Sequence, residues 1–222
     1  MFEQKLPSKK NQVYKREYLS NGEKRFAVEK EFSDDGRFFT ELKVGRLLEK
    51  SGLHMPALLD VQDPAENRPG KLVYEYIEGS VALDALSFEV ISLIIRWLKR
   101  FYELTLEKTG EQMVLGDIHL RNFIYSTADR EIYGFDFEEA RAGAIEEDAA
   151  RLFLFITTYE PEYSERNLEL AGRFLNEAIT QFNLDRSRFF ENIFAEAVDM
   201  AKRRGKEVKT ELILPVAERA FK

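Results

Sequence analysis

Leu115–Ala140 reads LGDIHLRNFIYSTADREIYGFDFEEA, and the fold is decided by how this stretch doubles back on itself. Asp117 and Asn122 lie five residues apart on a segment without a regular period. Phe123–Ser126 and Glu131–Phe135 then read as two short strands around the turn Thr127-Ala128-Asp129-Arg130, because apolar and aromatic runs flank a polar turn. The hairpin returns the chain, so that Asp136 emerges within reach of Asn122. Taken alone, Asp117 is also an ordinary turn-capping residue.

Outward from this segment the chain changes character. Before it, Gln12–Leu19 and Arg25–Phe32 are extended runs joined by Ser20–Lys24, a hairpin-type connection. In the second run Phe26, Val28, Lys30 and Phe32 share one face, since side chains alternate along a strand. A helix is expected over 36–50, with Phe39, Leu42, Leu47 and Leu48 as its apolar side and Ser51-Gly52 as its stop. Strands are expected over Leu58–Val61 and Lys71–Ile77, separated by a polar loop. From Ser87, a plausible N-cap, helices dominate: one carrying Val90, Ile91, Ile94, Trp97, Leu98 and Phe101, then 147–159, 164–182 and 186–204. These patterns predict a two-lobed α+β protein, with residues 1–77 as a strand-rich lobe and 78–222 as a helical one.

Composition narrows the chemistry. The 222 residues are 44% hydrophobic and 33% charged, which suits a globular chain. No cysteine is present, so disulfides, zinc thiolates and thiol catalysis are excluded. Net charge is −7, without the basic footprint of a nucleic-acid binder, and no nucleic-acid partner is expected. The basic cluster at Lys202, Arg203, Arg204, Lys206 and Lys209 reads as a solvated helix end. Phe88–Leu106 is interrupted by charges and reads as an amphipathic helix rather than a membrane span. The opening residues lack the apolar run of a signal peptide, and the expected location is cytoplasmic. The oligomeric state is left open by the sequence.

Asp117, Asn122 and Asp136 offer the groups that phosphoryl transfer needs: a carboxylate to take a hydroxyl proton, and hard oxygen donors for Mg²⁺. Gly116, Asp117, His119 and Asn122, followed by Asp136-Phe137-Glu138, resemble the catalytic and metal-binding loops of the aminoglycoside phosphotransferase and choline kinase branch of the protein-kinase-like fold. The resemblance implies ATP and Mg²⁺ as cofactors, Asp117 as catalytic base, Asn122 and Asp136 as metal ligands, and a small-molecule or sugar hydroxyl as acceptor. One position departs: the His that leads the family's loop is Leu115 here.

The first third supplies further parts. Lys30 on an apolar strand face requires an anion if buried, and Glu41 on the next helix is a suitable partner. By resemblance, Lys30 would hold the ATP phosphates with Glu41 positioning it. Leu72–Gly79 resembles the hinge, with the Glu75 carbonyl and the Ile77 amide facing adenine and Tyr74 at the back-pocket gate. Pro7–Asn11 stands in place of a glycine-rich loop, offering Ser8, Asn11 and backbone amides to phosphate. Asp148, in EEDAARL, resembles a structural residue bonded to the catalytic loop's backbone. GDIHLRNFI also resembles the corresponding loop of lipopolysaccharide-core sugar kinases, and the length is similar to that of compact protein or tRNA-modification kinases. A pseudokinase is the alternative of another class.

Overall fold

Residues 2–20 and 23–222 are described by the computed structural model. The chain opens with β1 (Glu3–Leu6), β2 (Gln12–Ser20) and β3 (Glu23–Glu31), followed by α1 (Asp35–Leu48), β4 (Leu58–Gln62) and β5 (Lys71–Glu75). The five strands form one antiparallel sheet in the order β1-β2-β3-β5-β4. The expected β2–β3 hairpin is present, with Gln12 opposite Glu31; the Asn21-Gly22 centre of its predicted turn lies outside the described residues. β1 was not expected. It adds an edge strand by pairing Leu6 with Val13.

α1 starts where Asp34 Oδ1 accepts the Arg37 N–H at 2.9 Å, an N-cap that satisfies one of the helix's free donors. Its buried face differs from the expected one: Phe38 is buried and Phe39 is 53% exposed. The helix phase is set by Phe38, which meets Phe32 edge-on at 5.6 Å between centroids. Phe32, Phe38, Leu42 and Leu72 form a small core under the sheet. Val44 and Leu48, further along the same helix, belong to the larger core.

That larger core is mainly helical. β6 (Gly79–Val81) precedes α2 (Phe88–Thr109), which begins where Ser87 Oγ accepts the Val90 N–H at 3.3 Å and ends at Gly110 with φ 75°. β7 (Met113–Val114), β8 (Phe123–Ser126), β9 (Ile132–Gly134) and β10 (Arg141–Ala142) follow. β6, β8 and β9 form a three-stranded sheet, and β7 pairs with β10. Trp97 of α2 lies flat against Gly134, where a Cβ would stand 2.2 Å from the indole, so only glycine fits. The indole N–H donates to the His54 carbonyl at 2.7 Å.

Four further helices, α3 (Ile145–Thr158), α4 (Glu165–Phe182), α5 (Arg186–Arg204) and α6 (Thr210–Ala220), close the chain. α6 was not anticipated, and it holds Pro215 in its interior. A proline in a helix interior costs about 3 kcal/mol. Burial of Ile213, Val216 and Ala217 offsets it, at about 1.5–3 kcal/mol for each of the larger side chains. The architecture among the described residues is therefore α+β, with a five-stranded antiparallel sheet and six α-helices. None of these helices is long and apolar enough to cross a membrane.

Candidate functional site

Lys30 sits in the third of the sheet's five strands, opposite Val13 on one side and Leu72 on the other, and is buried. Its Nζ lies 2.6 Å from Glu41 Oε2, 2.6 Å from Asp136 Oδ1 and 3.0 Å from Glu138 Oε2. The Tyr74 hydroxyl donates to Glu41 Oε1 at 2.8 Å. Burial pushes the Lys30 ammonium toward deprotonation, but the three carboxylates outweigh it and hold the proton well above the usual lysine range. Sequence reasoning foresaw Glu41 as the partner, and the structure brings the two together. Glu138 is a partner that sequence reasoning missed, although it stands in the Asp136-Phe137-Glu138 segment of the motif.

The hairpin delivers Asp136 to this pocket. Phe123 stands opposite Gly134, and the Phe135 N–H donates to the Asn122 carbonyl at 3.0 Å, so the two ends of the motif meet. Asp136 takes φ 69°, a left-handed conformation that Asp tolerates better than most residues. Asn122 is buried, and its Nδ2 donates to the Asp117 carbonyl at 2.9 Å, which leaves Oδ1 as the atom able to ligate a cation. Asp136 has its second carboxylate oxygen for the same purpose, since Oδ1 faces Lys30. Hard oxygen donors of this kind fit Mg²⁺.

Leu115 is buried in the larger core. The loop is held from below by Asp148, whose Oδ2 accepts the Leu115 N–H at 2.8 Å and whose Oδ1 accepts that of Gly116 at 3.2 Å. The Tyr102 hydroxyl donates to the same carboxylate at 3.1 Å. Burial nevertheless raises the Asp148 carboxyl to about 6, against these three bonds and the nearby Arg151. Gly116 has φ 75°, and a Cβ there would stand 2.4 Å from the Glu139 carbonyl oxygen. Both facts require glycine.

Asp117 itself projects into a half-open corner. Arg151, one turn beyond Asp148 on α3, donates to the Gly116 carbonyl and lies 3.4 Å from Asp117 Oδ1. Lys10 Nζ lies 3.5 Å from Asp117 Oδ2 and 2.5 Å from Glu139 Oε1. Burial raises the Asp117 carboxyl, but Arg151, His119 and Lys10 together hold it below the usual carboxylate range. His119 packs edge-on against Phe155 at 5.7 Å. Its pKa is lowered by burial, against the pull of Asp117 and Asp136.

The loop 7–11 crosses from the sheet to this corner. Ser8 Oγ accepts the Asn11 N–H at 3.2 Å and shapes the turn. Asn11 is buried; its Nδ2 donates to Glu138 Oε2 at 2.5 Å, and its Oδ1 accepts the Ser33 N–H at 3.2 Å. Both ends of that amide are thus committed to protein partners, and Lys10 of the loop reaches Asp117 and Glu139. Arg37 pairs with Glu138 at 3.2 Å and Glu139 at 3.1 Å. The roles of Lys10, Arg37 and Arg151 were not foreseen. Only Arg151 carried a signal, standing three residues after Asp148 on the same helix face. Glu75 ends β5, with its N–H bonded to the Ala57 carbonyl at 2.8 Å, and Ile77 belongs to the stretch between β5 and β6.

No protein-family model matches the chain, and no curated protein matches it.

Proposed function

We propose that the chain is an ATP- and Mg²⁺-dependent phosphotransferase that moves the γ-phosphate to a hydroxyl of a small-molecule or sugar acceptor, on a two-lobed protein-kinase-like arrangement. The observation that carries this is the Lys30 ammonium, 2.6 Å from both Glu41 and Asp136, which ties strand, helix and hairpin into one charged pocket. Lys30 would hold the ATP phosphates, and Asn122 and Asp136 would hold the metal. When bound, Mg²⁺ neutralises phosphate charge. The backbone of Glu75 and Ile77 would meet adenine. The loop containing Ser8 would face phosphate through Lys10, with Asn11 as its anchor on Glu138. Asp117 would accept the proton of the acceptor hydroxyl as that oxygen bonds to the γ-phosphorus and the bond to the β,γ-bridging oxygen breaks.

ADP release measured with Mg²⁺-ATP and a panel of hydroxyl acceptors tests the function. Asp117→Asn is expected to lower transfer about 10²–10⁴-fold, the usual worth of a general base, with an unchanged melting temperature. Full activity in that variant would remove Asp117 from the chemistry.

A pseudokinase is favoured by one observation, the Lys10 ammonium against Asp117. Thermal stabilisation by ATP that is the same with and without Mg²⁺ would select it over transfer.

A further inference from the structure

The acids that flank the Asp117 corner are already engaged. Glu138 is shared by Lys30, Asn11 and Arg37. Glu139 is paired with Lys10 and Arg37. Glu146 is buried and accepts the Asp185 N–H at 2.9 Å. Glu147 pairs with Arg141 at 2.5 Å and accepts the Ala144 N–H at 2.8 Å. Glu196, beside Arg151 at 3.1 Å, is also paired with Arg203. Asp117 has a cation near each oxygen, Lys10 at one and Arg151 at the other.

Beyond Asp117, three half-buried rings, His119, Phe155 and Tyr159, lie beside exposed arginines. The Phe155 ring lies between His119, at 5.7 Å, and the stacked Tyr159, at 5.9 Å. The Arg204 guanidinium stands 5.4 Å from the centroid of Phe155, steadied by the Thr158 carbonyl. Arg121 is exposed and stands two residues after His119, in the turn Leu120–Asn122. An aromatic face accepts the C–H side of a sugar or polyol, and guanidinium groups match phosphate or carboxylate oxygens two at a time.

We propose that this face binds an anionic polyol, such as a sugar phosphate, through Phe155, Arg121 and Arg204, and rejects cationic amines. A cationic acceptor would meet the exposed Arg121 and Arg204 guanidinium groups, while Lys10 and Arg151 are paired with the carboxylates Asp117, Glu139 and Glu196. The proposal rests on the phosphotransferase function in taking Asp117 as the group that the acceptor hydroxyl meets.

The test is thermal-shift titration of the full chain without ATP, using two matched pairs: glucose 6-phosphate against glucosamine, and glycerol 3-phosphate against ethanolamine. At least one phosphorylated member is expected to half-saturate at a concentration tenfold or more below that of its aminated partner. Arg121→Glu with Arg204→Glu should abolish or invert that preference, and the milder Arg121→Gln with Arg204→Gln should bring it near parity. Equal or tighter binding of the amines, no shift with either phosphorylated compound, or a preference that survives both double variants would overturn the proposal. ADP release separates it from the function on which it rests. Asp117-dependent transfer to an amine-bearing acceptor would sink the proposal and leave the phosphotransferase standing. Anion binding that depends on Arg121 and Arg204, without transfer to any acceptor, would support the face and remove the phosphotransferase.

Discussion

Around Lys30 one ammonium serves three carboxylates, whereas around Asp117 one carboxylate lies between an ammonium and a guanidinium. The first pocket is buried at Lys30, Glu41 and Glu138. The second is wetter, with the Lys10 and Asp117 side chains 39% and 38% exposed. The difference in water decides what each arrangement can do. A buried ion cluster resists change, because losing one member leaves uncompensated charge in a poor solvent for it. A half-exposed pair is screened, worth about 0–1 kcal/mol, and is easily exchanged for another partner. The Lys30 pocket is therefore suited to fixing geometry, and the Asp117 corner to letting a ligand in.

The most severe break of this contrast is Lys30→Met. It strands the Glu41, Asp136 and Glu138 carboxylates together and should destabilise the fold by about 3–5 kcal/mol, read by urea unfolding. Unchanged stability would mean that the pocket is not anchored by its cation.

A smaller effect, and a pH-dependent one, is expected at Asp148 beneath the Asp117 loop. Its native pKa of about 6 lies above the ordinary 3.8, so the folded state binds this proton more tightly than the unfolded state does. The stability it contributes is fully present below about pH 4 and is lost as pH rises through about 6. The change is up to about 3 kcal/mol, since each pH unit is worth about 1.4 kcal/mol. Unfolding free energies across pH 4–7 should fall more steeply in the wild type than in Asp148→Asn. Parallel profiles would place the pH dependence elsewhere.

Lys10→Met is the mildest change. It should cost less than about 1 kcal/mol in urea unfolding, because Asn11 still fastens the loop to Glu138. A loss on the scale of Lys30→Met would show that Lys10, not Asn11, anchors the loop.

Much of the secondary structure was legible from local pattern. The β2–β3 hairpin, the Ser87 start of α2 and the strand pair carrying Asn122 toward Asp136 all follow from alternation, caps and turn residues. Alternation along β3 also marked Lys30 as a lysine needing an anion. Phe38 shows where such reading stops. Neighbouring phenylalanines compete for the inward position, and contact with Phe32 of the adjoining segment chooses between them. β1, β6, β7 and β10 are two to four residues long. Runs so short carry little period of their own and exist because a partner strand lies beside them; Met113 pairs with Ala142.

The candidate site divides along the same line. Strand alternation marked Lys30 and made Glu41 a suitable partner, and hairpin length put Asp136 within reach of Asn122, whereas Asp117 stood out through the resemblance of its loop to kinase-type catalytic loops. Apart from the Lys30–Glu41 pair, which charges meet was decided only by tertiary structure. Lys30 reaches Asp136 across 106 positions and Lys10 reaches Glu139 across 129. No local period reports such pairings, since the strength of an ion pair depends on the distance and burial that packing creates. The sequence thus determined that an acid-rich hairpin would be present. The packing of the sheet, α1 and α3 around it decided that one of its carboxylates would be locked on a buried lysine and another left at the edge of water.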